Sequence, residues 1–169
     1  MSEKNLKGLL LHTLKDVYFA EHEILKALPQ MAQAAQSAEL KEAFETHRAQ
    51  TEQQIGRLDD VFGLLNERPE GVPCKAIQGI LAEGQEVMEG FADGPALDAG
   101  LIAAAQAVEH YEISRYGTLR TWAEQLGMSD AASLLQETLD EEEATDKTLT
   151  ELATSVINLE AEQEQAEAA

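Results

Sequence analysis

The chain has 169 residues, 44% of them hydrophobic and only 5% aromatic, enough for one domain with a sizeable core. Its 32 acidic against 12 basic residues give a formal net charge of -20, which repels nucleic acid and anionic membrane surfaces and attracts cations. A single cysteine, Cys74, excludes an internal disulfide and fits a reducing cytoplasm, no stretch approaches the ~20 apolar residues of a membrane span, and the apolar run Gly8 to Leu11 is too short for a secretory signal.

Ala, Leu, Glu and Gln, which lose little side-chain entropy in a helix, dominate throughout. The first predicted helix covers about Ser2 to Gln36, with Leu10, Leu14, Val17, Ile24 and Leu28 recurring at helical steps. Pro29 lies inside that pattern and is expected to kink or end it. Ser37 is the expected cap of the second helix, which runs from Ala38 to about Asn66 on Leu40, Phe44, Ile55, Leu58, Val61 and Leu65.

Arg68-Pro69-Glu70-Gly71-Val72-Pro73 breaks the helix. A shorter helix follows over about Cys74 to Gly90, and Asp93-Gly94-Pro95 breaks the chain again. The next long helix covers about Ala96 to Leu126, with Gly127 where a C-cap glycine belongs. Ser129 is the expected cap of the last helix, which extends to Ile157 or beyond. The polar segment 160–169 is expected to fray, leaving residues 1–159 as the single domain. No alternating β-branched run indicates a strand.

These elements predict an all-α fold. Short links make two antiparallel helical hairpins, and about 30 residues carrying the extra short helix lie between them. One such long crossover is the connectivity of a ferritin-like four-helix bundle.

The functional signal is polar residues at positions where the helical period demands apolar ones. Glu21 interrupts the first stripe, His47, Thr51 and Gln54 the second, Gln106 and Glu109 the third, and Thr138 and Glu142 the fourth, with Glu112 and Glu141 at the stripe edges. Each interruption falls near mid-helix, so in an antiparallel bundle they meet at one level. Buried carboxylates cannot all stay ionised without compensation. A metal pair held by Glu21, His47, Glu109 and one of Glu141 or Glu142 would neutralise the layer. Any one of these residues, taken alone, reads as a face assignment off by one or as a satisfied core group. It is their coincidence that points to metal. Ala20-Glu21-His22-Glu23-Ile24 echoes Val108-Glu109-His110-Tyr111-Glu112-Ile113, which sets Glu21 and Glu109 opposite one another across a pseudo-twofold. His22 and His110 then point away from the core. Tyr18 and Tyr116, one turn from Glu21 and Glu112, are candidate donors to those carboxylates. Cys74, beside Pro73, reads as a surface residue without a partner.

Four segments carry a family resemblance: Asp16-Val17-Tyr18-Phe19-Ala20-Glu21, Ala105 to Leu119, Ala123-Glu124-Gln125-Leu126-Gly127 and Glu137 to Asp146. Through them the chain, from about Leu6 to Ala153, resembles the YciE/YciF family of bacterial ferritin-like proteins. The resemblance implies a homodimeric, cytoplasmic stress-response protein related to di-iron carboxylate proteins, with iron as the metal and manganese as a substitute. Family carboxylate positions match Glu21, Glu109, Glu112, Glu141 and Glu142. Many relatives carry a Glu where this chain has Gln50, and the Glu-x-x-His pairs of other di-iron bundles are absent. A neutral amide at Gln50 implies weaker binding, or one ion instead of two. Two functions follow: iron oxidation, sequestration or peroxide reduction at the cluster, or a non-enzymatic structural or interaction protein on the same scaffold.

Overall fold

The structure is a computed structural model that describes residues 4–167, with side chains to Glu162. Among the described residues there are only helices, turns and loops. The long helices are α1 (Leu6–Ala34), α2 (Ala38–Leu64), α4 (Leu97–Gln125) and α5 (Ser129–Leu152), and α3 (Lys75–Gly90) lies between the pairs. After α5 a π-helical turn, Ala153–Ile157, leads into α6 (Asn158–Glu167). The polar segment from Glu160 therefore continues as helix to Glu167, and residues 168 and 169 lie outside the described residues.

Local chemistry sets the boundaries. The Asn5 side chain accepts from Gly8 N at 2.8 Å at the start of α1. Ser37 caps α2 as expected, with its Oγ accepting from Leu40 N at 3.3 Å. Gly127 closes α4 in the left-handed region, at φ 73°. Two expectations need correction. Pro29 does not end α1, which continues five residues to Ala34. The missing backbone bond is offset by burial of Leu28 before it and of Met31 and Ala32 beyond it. Ser129 is the first residue of α5 and makes no side-chain cap, and Met128 flanks the helix instead.

α1 packs on α2 and α4, and α5 packs on the same two helices. Cluster membership gives the directions. One apolar cluster joins Ile24 and Leu28 late in α1 with Leu40 and Phe44 early in α2, Leu101 and Ile102 early in α4, and Leu149 late in α5. A second joins Leu10 and Leu14 early in α1 with Leu58 and Phe62 late in α2, Leu119 and Ala123 late in α4, and Leu135 early in α5. Each long helix therefore runs antiparallel to both of its neighbours. Each fully buried Leu or Phe contributes about 1.5–3 kcal/mol.

α2 ends at one pole and α4 begins at the other, so the crossover must travel the length of the molecule. It passes close over α1, where Val72 N donates to Lys15 O at 3.2 Å and Lys15 Nζ pairs with Glu70 at 2.6 Å. A Cβ at Gly71 would stand 3.1 Å from the Phe19 Cα, so only glycine fits there without a shift. α3 then lies against α4 and α1. This return path buries Cys74, whose Sγ is 3.4 Å from the Tyr111 hydroxyl, so the expectation of a partnerless surface cysteine is overturned. At the far pole Asp98, in the first turn of α4, accepts from the backbone N–H groups of Gln36 and Ser37 at 2.8 and 2.6 Å, tying the second hairpin to the turn of the first.

Candidate metal centre

Between the two apolar clusters the four long helices turn polar at one level. α1 contributes Glu21, α2 contributes His47, α4 contributes Glu109 and Glu112, and α5 contributes Glu142. Their exposures are 0%, 3%, 1%, 1% and 0%. Glu109 and Glu112 share a face because they are three residues apart on one helix. One ligand atom from each of His47, Glu109, Glu112 and Glu142 lies within 4.8 Å of the others. His47 Nε2 is 3.2 Å from Glu109 Oε1 and 4.0 Å from Glu142 Oε2.

Glu21 stands beside this group of four. Its Oε1 accepts from the Tyr116 hydroxyl, which is itself fully buried one turn beyond Glu112. Tyr116 thus makes the contact expected of a donor to the carboxylates. Tyr18 does not: its ring meets His22 and Phe62 edge-on and its hydroxyl faces Asp59. His110 points outward as expected, 3.1 Å from Asp146.

The two neighbouring carboxylates on α5 take different environments. Glu142 is enclosed, whereas Glu141 lies in the seam between α2 and α5. There Arg57 grips it bidentately at 2.8 and 2.6 Å and Gln54 Nε2 donates to it at 3.0 Å. Glu141 is therefore paired with its own cation at the edge of the cluster, where its charge still acts on Glu21, His47 and Glu142. Gln50 is half-buried one turn from His47, on the wall of a groove in the same seam. Glu112, expected at a stripe edge, is enclosed instead, because α4 is covered by α1, α3 and α5 together. Arg57 carries no signal in the apolar period. Its only hint is its place one turn after the buried Gln54.

The electrostatics are those of acids stripped of water. Burial, reinforced by the charge of Glu142, pushes Glu21 up to about 8, although the Tyr116 hydroxyl and Glu112 work against it. Burial also pushes Glu142 up to about 7, with Glu109 and Gln54 opposing. Glu109 and Glu112 rise well above the usual range, through burial first and neighbouring carboxylates second. Burial drives His47 down to about 4, against the Gln50 amide and the Glu141 charge. Its close approach to Glu109 is thus a contact of neutral imidazole and not a salt bridge. Glu141 goes the other way: burial raises it, but the Arg57 and Gln54 hydrogen bonds outweigh that and hold it low.

The donor set can be tested against a cation. Both nitrogens of His47, both oxygens of Glu112 and of Glu142, Glu109 Oε2 and Glu21 Oε2 are buried with no hydrogen-bond partner. Orphaned buried polar atoms cost about 1–3 kcal/mol each, and here they converge. Two divalent ions would bring four positive charges against the four carboxylates of Glu21, Glu109, Glu112 and Glu142. One imidazole with carboxylate oxygens suits iron, manganese or zinc. The residues fit a metal.

Fold and cluster together define an all-α protein with a buried carboxylate–histidine centre. Residues 5–162 match a domain of unknown function, DUF892, and the chain belongs to that family. It is 45% identical over 163 residues to protein YciF of Escherichia coli K12, covering 96% of this chain and 98% of YciF. The crystal structure of that E. coli stress protein superposes with a TM-score of 0.88 at 44% identity, over 92% of this chain and 99% of that one. YcfI of Rhodopseudomonas palustris, provisionally described as a structural protein, matches with a TM-score of 0.85 at 46% identity, over 87% and 94% of the two chains. A Xanthomonas campestris protein at 24% identity shares the fold, with a TM-score of 0.74. No helix among the described residues is long and apolar enough to cross a membrane.

Proposed function

We propose that this chain is a ferritin-like four-helix bundle that binds metal, iron first and manganese as a substitute, through His47, Glu109, Glu112 and Glu142. The convergence of their unpartnered buried atoms carries the reading. Glu21, held by Tyr116, is the carboxylate that a second ion would recruit. Glu141 and Gln50, matched to family positions by resemblance, take lesser parts: Glu141 neutralises Arg57, and Gln50 steadies the His47 side of the layer. Bound iron would supply one-electron chemistry for storing or oxidising iron or for reducing peroxide in a stress response. The chain's own task is to strip water from the ion, to surrender the protons of Glu21, Glu109, Glu112 and Glu142 as it binds, and to present His47 as neutral imidazole. A cytoplasmic homodimer is part of the same reading.

The test is metal analysis after anaerobic Fe(II) loading, on the native chain and on Glu109→Ala. The expected result is bound iron in the first, strongly reduced iron in the second, and equal helicity in both. Melting temperature should rise with Fe(II) or Mn(II) and fall back with chelator, because a ligand of the native state stabilises by mass action. Iron near zero in the folded native chain defeats the reading.

A second reading is favoured by the R. palustris relative described as structural. On that reading the carboxyls keep their protons and the layer is a retained feature of a scaffold. It requires the same melting temperature with and without metal.

A further inference from the structure

The seam between α2 and α5 has two unlike halves. In one, Arg57 bridges from α2 to Glu141 and, at 3.3 Å, to Glu137, with Gln54 adding its amide, so charge and hydrogen bonds close the helices together. In the other half, among the described residues, no hydrogen bond closes them. A groove of about 340 Å³ lies there, with Glu39, Glu42, Thr46 and Gln50 from α2 facing Thr145 and Thr148 from α5. These residues step along one face of each helix, so the polar wall is continuous from the outer acids inward.

The inner end of the groove meets a second space. A cavity of about 20 Å³, room for about one water-sized group, lies in the core beside His47 and Glu109 and shares Ala43, Thr145 and Leu149 with the groove. His47 is 3% exposed, and neither of its ring nitrogens has a partner. Small residues at the junction leave the gap, since Ala43 and Thr145 stand where larger side chains would fill it.

We propose that the open half of the α2–α5 seam is the route by which a hydrated divalent cation reaches His47 and Glu109. This rests on the metal reading above and adds the path to it. The exposed acids Glu39 and Glu42 concentrate the cation at the mouth. The hydroxyls of Thr46, Thr145 and Thr148 and the Gln50 amide offer oxygens as waters are shed. The same inner cavity also touches a groove between α1, α3 and α4, but it shares only Ala27, Met31, Leu81 and Val108 with that groove, and the one acid on that groove's wall, Glu23, is paired with Lys26 at 2.6 Å. A neck of apolar side chains alone, with no unpaired acid at its mouth, is a poor path for a cation, so the two sides can be told apart.

A path changes association and dissociation together and leaves the equilibrium alone. Metal-free full-length protein mixed with Co(II) in stopped flow, followed by visible absorption, gives the rates, and titration gives the dissociation constant. The double variant E39Q/E42Q is expected to slow association about threefold to tenfold at low salt, slow dissociation alike, and keep the dissociation constant within about twofold. High salt should shrink the effect. Thr145→Leu, which narrows the junction, is expected to slow uptake further. The double variant E83Q/E86Q removes the same charge from exposed positions on α3 and is expected to match the native rate. E39Q/E42Q alters only exposed side chains, so it decides the matter even if Thr145→Leu is poorly folded. Native rates in E39Q/E42Q, or slowing by Leu81→Trp in its place, overturn the route while leaving the metal reading intact. Absence of any Co(II) uptake by the native chain overturns the metal reading and the route with it.

Discussion

The two apolar clusters and the polar layer between them are built from the same four helices, yet they obey opposite rules. In the clusters the buried side chains are mostly apolar, and stability grows with the area removed from water. In the layer, buried acids sit with orphaned oxygens and elevated pKa values. The difference teaches that the clusters hold the fold while the layer spends stability to keep a set of ionisable groups out of water, so mutations should act with opposite sign in the two regions.

The largest expected effect lies in the clusters. Leu101→Ala in one, or Leu14→Ala in the other, should lower unfolding free energy by about 2–5 kcal/mol in denaturant titration. In the layer the sign should reverse. Glu142→Leu replaces a buried, unpaired carboxyl by an apolar group and should stabilise the metal-free chain by about 1–3 kcal/mol while weakening metal binding. A loss of metal-free stability in that variant would erase the contrast.

pH sharpens the comparison further. Folded Glu21 and Glu142 hold their protons up to about 8 and about 7, whereas unfolded carboxyls release theirs near 4.5. Between those limits the folded chain binds more protons than the unfolded one, so metal-free stability falls as pH rises. His47, pushed down to about 4 from 6.5, works in the opposite sense below 6.5 and is silent above it. From pH 6.5 to 8 the carboxyls act alone, and each proton difference costs about 1.4 kcal/mol per pH unit. Metal-free melting temperature should therefore drop across that interval, and metal affinity should rise across it. A flat melting profile would show that the layer is not dry.

Smaller effects test what frames the layer. Asp98→Ala removes the acceptor of two backbone N–H groups at the start of α2 and should cost about 1–2 kcal/mol in thermal unfolding. Arg48→Ala removes only exposed pairs to Glu45 and Glu52 and should change stability by less than about 0.5 kcal/mol.

Much of this architecture is legible in the sequence, because the helical period of apolar residues reports which face is buried. Interruptions of that period marked Glu21, His47, Glu109 and one of Glu141 or Glu142 as inward. What the period does not hold is the number of neighbours a helix will have. Glu112 read as an edge residue, yet α4 is covered on three sides and the edge is enclosed. Nor does it rank adjacent residues: Glu141 and Glu142 both fit α5 until Arg57, on a helix 84 residues away in the chain, takes one of them. Pro29 and Cys74 misled for a related reason. Local rules put a kink or a stop at one and a surface at the other, whereas packing carries α1 on past Pro29 and encloses Cys74.

Asp98 sets a tolerance as well as a cap. A slip of one hairpin past the other by a single helical turn is about 5.4 Å, more than the 4.8 Å within which the His47, Glu109, Glu112 and Glu142 donor atoms gather. Two short hydrogen bonds at the far pole thus act as a dowel that, together with Arg57 on Glu141, keeps the donor atoms of the two halves in step.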